Sequence, residues 1–129
     1  MLVDTQVLIW HALLPERVSR RAKQVIEKGN HVYSHASVWE LAIKSGSNKI
    51  ELRQDGERVM ATQFIVSASS HMRLSLLPLE LDDFTAEESL PLHHKDPFDR
   101  LLVAQAKNRG LGIISADPMF DAYGVKRVW

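Results

Sequence analysis

The stretch that decides the fold reads Asp96-Pro-Phe-Asp-Arg-Leu-Leu-Val-Ala-Gln-Ala-Lys-Asn-Arg-Gly-Leu-Gly-Ile-Ile-Ser-Ala-Asp117. Its first part predicts a helix over residues 97–109. An aspartate and a proline are typical of a helix start, apolar residues recur at helical spacing, and Gly110 ends the pattern. Residues 112–115 follow as a short apolar run typical of a buried strand. A helix that leads into a buried strand is characteristic of parallel α/β sheets.

The same alternation of apolar runs and amphipathic segments extends over the whole chain. We predict strands at residues 1–3, 31–34, 73–77, 112–115 and 125–129, and helices at residues 6–14, 19–28, 36–44, 57–70, 82–90 and 97–109. This pattern predicts an α/β fold, a three-layer α/β/α sandwich with a central parallel sheet of four to five strands. No repeat or linker divides the sequence, so we expect residues 1–129 to form one domain.

Two of the predicted helices carry more specific expectations. The helix over residues 36–44 is expected to place Trp39, Leu41, Ala42 and Ile43 mostly inward. The helix over residues 82–90 contains Thr85-Ala-Glu-Glu, which matches a capping box at a helix start.

The composition excludes several classes of protein. Sixteen basic and sixteen acidic residues give a net charge of zero, so no overall field favours nucleic acid or an anionic membrane. The absence of cysteine excludes disulfides and thiolate zinc sites. Asp4 and His11 interrupt the apolar N-terminal stretch, so we expect neither a signal peptide nor a membrane span, and a cytoplasmic location.

Four acids lie where predicted strands give way to helices: Asp4, Glu40, Asp99 and Asp117. Side chains at the carboxyl ends of parallel strands meet in one crevice. Four carboxylates in one crevice repel each other unless a cation holds them. Because Mg²⁺ and Mn²⁺ prefer oxygen ligands, the pattern predicts a site for one of these ions.

Helix capping is the alternative explanation for each acid taken singly. Ser37-Val-Trp-Glu40 fits a capping box, and Asp96-Pro-Phe-Asp99 fits a cap, a first-turn proline and a third-position acid. Asp117-Pro118 repeats the cap and proline arrangement. Asp4 has the weakest structural explanation. Capping does not require the four acids to lie on one side of the sheet, whereas a metal site does.

The ordered set of motifs resembles a PIN domain, and is most similar to the VapC toxins of bacterial toxin–antitoxin pairs. The matching residues are Leu2-Val-Asp4-Thr-Gln-Val-Leu-Ile-Trp, Ser37-Val-Trp-Glu40-Leu-Ala-Ile-Lys44, His93-His-Lys-Asp-Pro-Phe-Asp99-Arg-Leu-Leu-Val-Ala-Gln-Ala106, Ile114-Ser-Ala-Asp117 and the terminal Tyr123-Gly-Val-Lys-Arg-Val-Trp. The resemblance implies an Mg²⁺-dependent endoribonuclease whose catalytic and metal-binding acids are Asp4, Glu40, Asp99 and Asp117. Supporting roles fall to Thr5, Arg100 and Ser115, while for Asp96 we favour capping over a ligand role.

The resemblance also implies partners: an RNA substrate, a small antitoxin that holds the toxin inactive, and a second copy of the chain in a homodimer. RNA contact requires local cations, and the densest basic group is Arg17, Arg20, Arg21 and Lys23. Lys44, Lys49, Arg53 and Arg100 lie close in sequence to the acids.

Other functions fit less well. The histidines His11, His35, His93 and His94 lack the spacing of a paired zinc motif, and we expect them at the surface or rim. A haloacid-dehalogenase-like phosphatase would need an aspartate at position 6, where this chain has Gln6. A catalytically degenerate domain of the same fold that only binds its partners remains the non-enzymatic alternative.

Overall fold

The computed structural model describes residues 1–129 and contains six α-helices, seven strands and two 3-10 segments. In chain order the strands and α-helices are β1 (Leu2–Val3), α1 (Thr5–Leu13), α2 (Arg20–Glu27), β2 (His31–Ser34), α3 (His35–Gly46), β3 (Arg53–Gln54), β4 (Glu57–Arg58), α4 (Ala61–His71), β5 (Leu74–Leu77), α5 (Leu81–Glu88), α6 (Pro97–Asn108), β6 (Ile113–Ile114) and β7 (Arg127–Val128). The 3-10 segments are Pro15–Arg17 and Pro118–Tyr123. None of the helices has the length and apolar character that a membrane span would need.

Five of the strands form one parallel sheet in the order β5, β2, β1, β6, β7. At its centre, Leu2 pairs with Ile113 and Val3 pairs with Ile114. Since successive strand residues face opposite sides, Leu2 and Ile113 pack with α6, whereas Val3 and Ile114 pack with α1, α2 and α4. All four side chains are fully buried, and each contributes about 1.5–3 kcal/mol by leaving water. The predicted three-layer α/β/α sandwich with five parallel strands is confirmed.

The segment before α4 differs from the prediction. We expected a helix from residue 57, but β3 and β4 form an antiparallel hairpin and the helix begins at Ala61. The hairpin turn is Asp55-Gly56, whose φ angles of 51° and 84° are both positive. Asp-Gly is typical of such two-residue turns, and this local signal outweighs the apolar spacing that Val59 and Met60 share with α4.

Two expectations about helix faces and helix starts were wrong. Of the four α3 residues that we expected to face inward, only Leu41 is buried, while Trp39, Ala42 and Ile43 are exposed. Helix α5 begins at Leu81, close to the predicted start, but Thr85 lies inside the helix and does not begin a capping box. Asp83 is part of the helix start instead, because its carboxylate accepts a hydrogen bond of 3.0 Å from the backbone N–H of Glu80.

Candidate metal centre

One edge of the sheet carries a cavity of about 300 Å³ that contains all four predicted acids. Asp4 directly follows β1, Asp117 lies just beyond β6, Glu40 lies on α3 and Asp99 lies in the first turn of α6. The cavity is lined by Asp4, Gln6, Trp10, Glu40, Lys44, Asp96, Asp99, Ala116 and Asp117. A larger cavity of about 610 Å³ at the other end of α1 contains a single carboxylate, Asp55, and so lacks an acid cluster.

Asp4 is buried at the base of this cavity and both of its oxygens accept hydrogen bonds. Oδ1 accepts from the backbone N–H of Gln6 at 3.1 Å, so Asp4 caps α1, although its sequence context offered the weakest structural explanation of the four acids. Oδ2 accepts from the Ser115 hydroxyl at 2.6 Å. Burial, with smaller contributions from the charges of Glu40 and Asp117, raises the pKa of Asp4 to about 6.

Glu40 is not part of a capping box, contrary to the alternative explanation. Helix α3 begins at His35, and its cap is Ser34, which accepts a hydrogen bond of 2.9 Å from the N–H of Ala36. Glu40 is therefore past the helix start, and its carboxylate is free for another role. Its Oε1 contacts the Lys44 ammonium, whereas its Oε2 is buried and has no hydrogen-bond partner.

The sequence left open whether Asp96 and Asp99 cap a helix or are available to bind a metal ion, and the two residues differ in this respect. Asp96 caps α6, accepting hydrogen bonds from the N–H groups of Phe98 at 2.8 Å and Asp99 at 3.4 Å. The expected capping role of Asp96 is thus confirmed. The Asp99 carboxylate does not cap the helix. Burial and the negative charges of Asp4 and Asp96 raise the pKa of Asp99 to about 7.

Asp117 begins the 3-10 segment Pro118–Tyr123 and shares a histidine with Asp99. Its Oδ1 accepts a hydrogen bond of 2.9 Å from the N–H of Met119. Its Oδ2 lies 2.8 Å from Nε2 of His94, which is also 3.2 Å from Oδ2 of Asp99. His94, Asp99 and Asp117 each present an atom of ligand type within 4.8 Å of the others.

His94 is the site residue that sequence reasoning missed. We expected it at the rim, but its side chain is only 16% exposed. The sequence feature that could have identified His94 is its position two residues before Asp96, the cap of α6. This position places the His94 ring beside the first turn of α6, which carries Asp99.

Three of the residues assigned supporting roles have partners that the structure defines. The Thr5 hydroxyl donates to Ser37 at 2.9 Å and does not orient Asp4. The Ser115 hydroxyl donates to Asp4 and accepts from the N–H of Asp117 at 3.0 Å, so it links two of the acids. Arg100 lies outside the cavity, because its buried guanidinium donates to Glu87 at 2.5 Å and to nearby backbone carbonyls.

Two basic side chains do approach the cavity. Lys44 lines it, and its pKa is raised because Glu40, Asp96 and Asp99 favour the charged form more than burial opposes it. From the basic group predicted at residues 17–23, the Arg17 guanidinium lies 5.9 Å from the ring centre of Trp10, which also lines the cavity.

The fold and the site together define an α/β/α protein with a partly buried carboxylate cluster at the edge of its parallel sheet. A family model of the PIN domain matches residues 1–126, and the chain therefore belongs to the PIN domain family. A comparison with curated protein sequences gave no match.

Two solved structures share the fold over nearly the whole chain. A structure of FitAB bound to an IR36 DNA fragment aligns with a TM-score of 0.62 at 18% identity, covering 98% of this chain and 92% of that one. The crystal structure of FitAcB from Neisseria gonorrhoeae aligns with a TM-score of 0.63 at 17% identity, covering 99% of this chain and 96% of that one. At this level of identity the two structures establish the likeness of fold.

Proposed function

We propose that this protein is a metal-dependent endoribonuclease that cleaves RNA with Mg²⁺ or Mn²⁺ as its cofactor. We further propose that it acts in the cytoplasm as the toxin of a type II toxin–antitoxin pair that blocks translation. The nuclease part is supported by family membership, since PIN domains are generally nucleases. The metal part is supported by the carboxylates that line one cavity.

The observation that carries the proposal is the unpartnered Oε2 of Glu40. A buried carboxylate oxygen without a hydrogen bond costs free energy, and Lys44 compensates only the other oxygen. Burial, together with neighbouring negative charges, also disfavours the charged forms of Asp4 and Asp99 and raises their pKa values. A divalent cation in the cavity would stabilise the charged carboxylates of Glu40, Asp4 and Asp99 together.

The donor set fits Mg²⁺ or Mn²⁺, which prefer carboxylate oxygens. The ligands we propose are Asp4, Glu40, Asp99 and Asp117, and each oxygen that already accepts one hydrogen bond retains a second lone pair. When bound, such an ion lowers the pKa of a water molecule and polarises the scissile phosphate.

The protein's own groups fix the geometry in which this chemistry would proceed. Ser115 and the N–H of Gln6 hold Asp4, and the N–H of Met119 holds Asp117, so neither carboxylate must reorient when substrate arrives. Lys44 supplies a positive charge in the cavity, and we propose that it pairs with a phosphate oxygen of the RNA.

The proposed partners are an RNA, a small antitoxin and a second copy of this chain. The resemblance to VapC toxins supports the antitoxin. The exposed apolar side chains of Trp39 and Ile43, which lie one turn apart on α3, support the homodimer because such patches mark protein interfaces. Light scattering that gives the mass of a monomer would count against the homodimer.

The test is RNA cleavage by the purified protein, with wild type, Asp99→Asn and Asp55→Asn compared in Mg²⁺ and in EDTA. Asp55 is the matched control, because it is an exposed aspartate in the hairpin turn, and asparagine also tolerates its positive φ. We expect cleavage by wild type and Asp55→Asn in Mg²⁺, and a loss of roughly 100-fold or more in EDTA or in Asp99→Asn.

Two outcomes would contradict the proposal. Cleavage that persists in EDTA would exclude the metal mechanism. Weak or absent Mg²⁺ binding by calorimetry, together with no cleavage of total cellular RNA, would instead favour a catalytically degenerate binding module. If RNA is cut, products with a 5′ phosphate and a 3′ hydroxyl are expected from attack by water.

A further inference from the structure

His94 joins the two segments that carry Asp99 and Asp117. Its backbone N–H donates to the Tyr123 hydroxyl at 2.7 Å, and its ring lies against Phe120, so it is anchored to the 3-10 segment that Asp117 begins. Its ring Nδ1 accepts from the N–H of Asp96 at 3.1 Å, which anchors it equally to the start of α6. The ring is therefore fixed from both sides.

These contacts determine which ring nitrogen carries the proton. A backbone N–H only donates, so Nδ1 must present its lone pair to Asp96. In the neutral imidazole the hydrogen is then on Nε2, because the hydrogen bond at one nitrogen sets the state of the other. Nε2 therefore faces Asp117 as a hydrogen-bond donor at 2.8 Å, and Oδ2 of Asp99 lies 3.2 Å from the same nitrogen.

We infer that His94 is a positioning residue of the metal centre, which donates through Nε2 to Asp117, contacts Asp99 and does not ligate the ion itself. The inference rests on the proposed metal-dependent function. Ligation through Nε2 would require the hydrogen on Nδ1, and that hydrogen would then point at the N–H of Asp96. By contacting both carboxylates through Nε2, His94 holds Asp99 and Asp117 together.

The role of His94 determines which metal ion the site prefers. If His94 were a ligand, one imidazole and two carboxylates would favour zinc or another transition metal over Mg²⁺. With His94 as a donor to the carboxylates, every protein ligand is an oxygen and Mg²⁺ or Mn²⁺ remains the preferred ion. The two arrangements therefore differ in which ion loses affinity when the imidazole is removed.

Three variants separate the two contacts of the ring. His94→Ala removes both, and His94→Gln places an amide donor where Nε2 was. His94→Asn reaches only to the position of Nδ1, so it restores the contact with Asp96 alone. His93→Gln is the matched control, because the adjacent His93 packs against Tyr123, is exposed and touches none of the acids.

The affinities for Mg²⁺, Mn²⁺ and Zn²⁺ are measured by calorimetry without RNA, and thermal unfolding verifies that each variant is folded. We expect His94→Ala and His94→Asn to bind Mg²⁺ and Mn²⁺ about 10–100-fold more weakly, while His94→Gln regains most of the loss and His93→Gln matches wild type. A selective loss of Zn²⁺ affinity with Mg²⁺ affinity unchanged would overturn the inference in favour of a ligand role. Unchanged affinities in all variants would overturn it as well.

A second readout separates this inference from the proposed function. The ¹⁵N chemical shifts of His94 in the metal-free protein report which nitrogen is protonated, and we expect a bare Nδ1 and a protonated Nε2. A protonated Nδ1 with a bare Nε2 would contradict the inference. If wild type binds no divalent ion while the ring shows the expected tautomer, the metal-dependent function fails and the donor geometry of His94 stands.

Discussion

Replacing Asp4 by asparagine should stabilise the metal-free protein at neutral and alkaline pH, although it removes a proposed ligand. Asp4 is only 6% exposed, and its pKa is about 6 instead of the 3.8 of a free aspartate. That difference corresponds to a penalty of about 3 kcal/mol for the charged form in the folded state. Asparagine keeps the acceptor that caps α1 and carries no charge, so most of this penalty should disappear.

The sign of the pH dependence follows from proton binding. Between pH 3.8 and about 6 the folded protein binds more protons at Asp4 than the unfolded chain does, so the free energy of unfolding falls as the pH rises through this window. Above about pH 6 the penalty is complete and constant. Asp4→Asn lacks this loss, and its advantage over wild type should grow from pH 4 to pH 6 and then level off.

The assay is urea or thermal unfolding in EDTA at several pH values, with Asp55→Asn as the control for loss of an exposed charge. At pH 8 we expect Asp4→Asn to unfold roughly 10 °C higher than wild type, while the control shifts by less than about 0.5 kcal/mol. A variant less stable than wild type at pH 8, or equally stabilised at pH 4 and pH 8, would refute the reasoning.

Three further outcomes are expected. Saturating Mg²⁺ should raise the unfolding temperature of wild type above that of Asp4→Asn, because an ion at about 1,000 times its Kd stabilises the folded state by about 4.1 kcal/mol, more than the roughly 3 kcal/mol that the variant gains without metal. Calorimetry in Mg²⁺ tests this. Arg100→Met should cost about 1–3 kcal/mol by urea unfolding, since it leaves the partly exposed charge of Glu87 unpaired and removes the donor from nearby backbone carbonyls. Near-neutral stability with weakened RNA binding would instead place Arg100 in the RNA interface. Gly112→Ala should cost about 1–3 kcal/mol, because the added Cβ would lie 2.7 Å from the Lys126 carbonyl oxygen. Gly46→Ala is the control, because its Cβ meets open space and the substitution should be neutral or stabilising. Equal effects of the two substitutions on the free energy of unfolding would contradict this packing argument.

The strands of the sheet were predictable because each is short, apolar and bounded by turn residues or by a helix start. The helix over Pro97–Asn108 was equally clear, since a cap, a first-turn proline and a terminal glycine mark its ends. The hairpin before α4 was missed, because the local preference of Asp55-Gly56 for a tight turn competes with an apolar spacing that continues through it. The outward position of Trp39 was missed because an apolar residue on a helix is normally assigned to the core.

The acids of the candidate site were identified from their positions after the predicted strands, which parallel topology places at one edge of the sheet. Their individual contacts required coordinates. Asp4 both caps a helix and lines the cavity, so the choice between capping and metal binding was not exclusive. The contact between His94 and Asp117 joins residues 23 positions apart. No periodicity in the sequence predicts such a contact, because it depends on how α6 and the segment after β6 meet.

The proposed metal centre requires that the carboxylates of residues 4, 40, 99 and 117 bind a divalent ion jointly. Anomalous X-ray diffraction from crystals soaked in Mn²⁺ tests this claim most directly, because the manganese signal locates the ion independently of the protein atoms. We predict one or two peaks in the cavity, each within roughly 2.5 Å of carboxylate oxygens from these residues. Full Mn²⁺ occupancy elsewhere on the protein, with no peak in this cavity, would contradict the account.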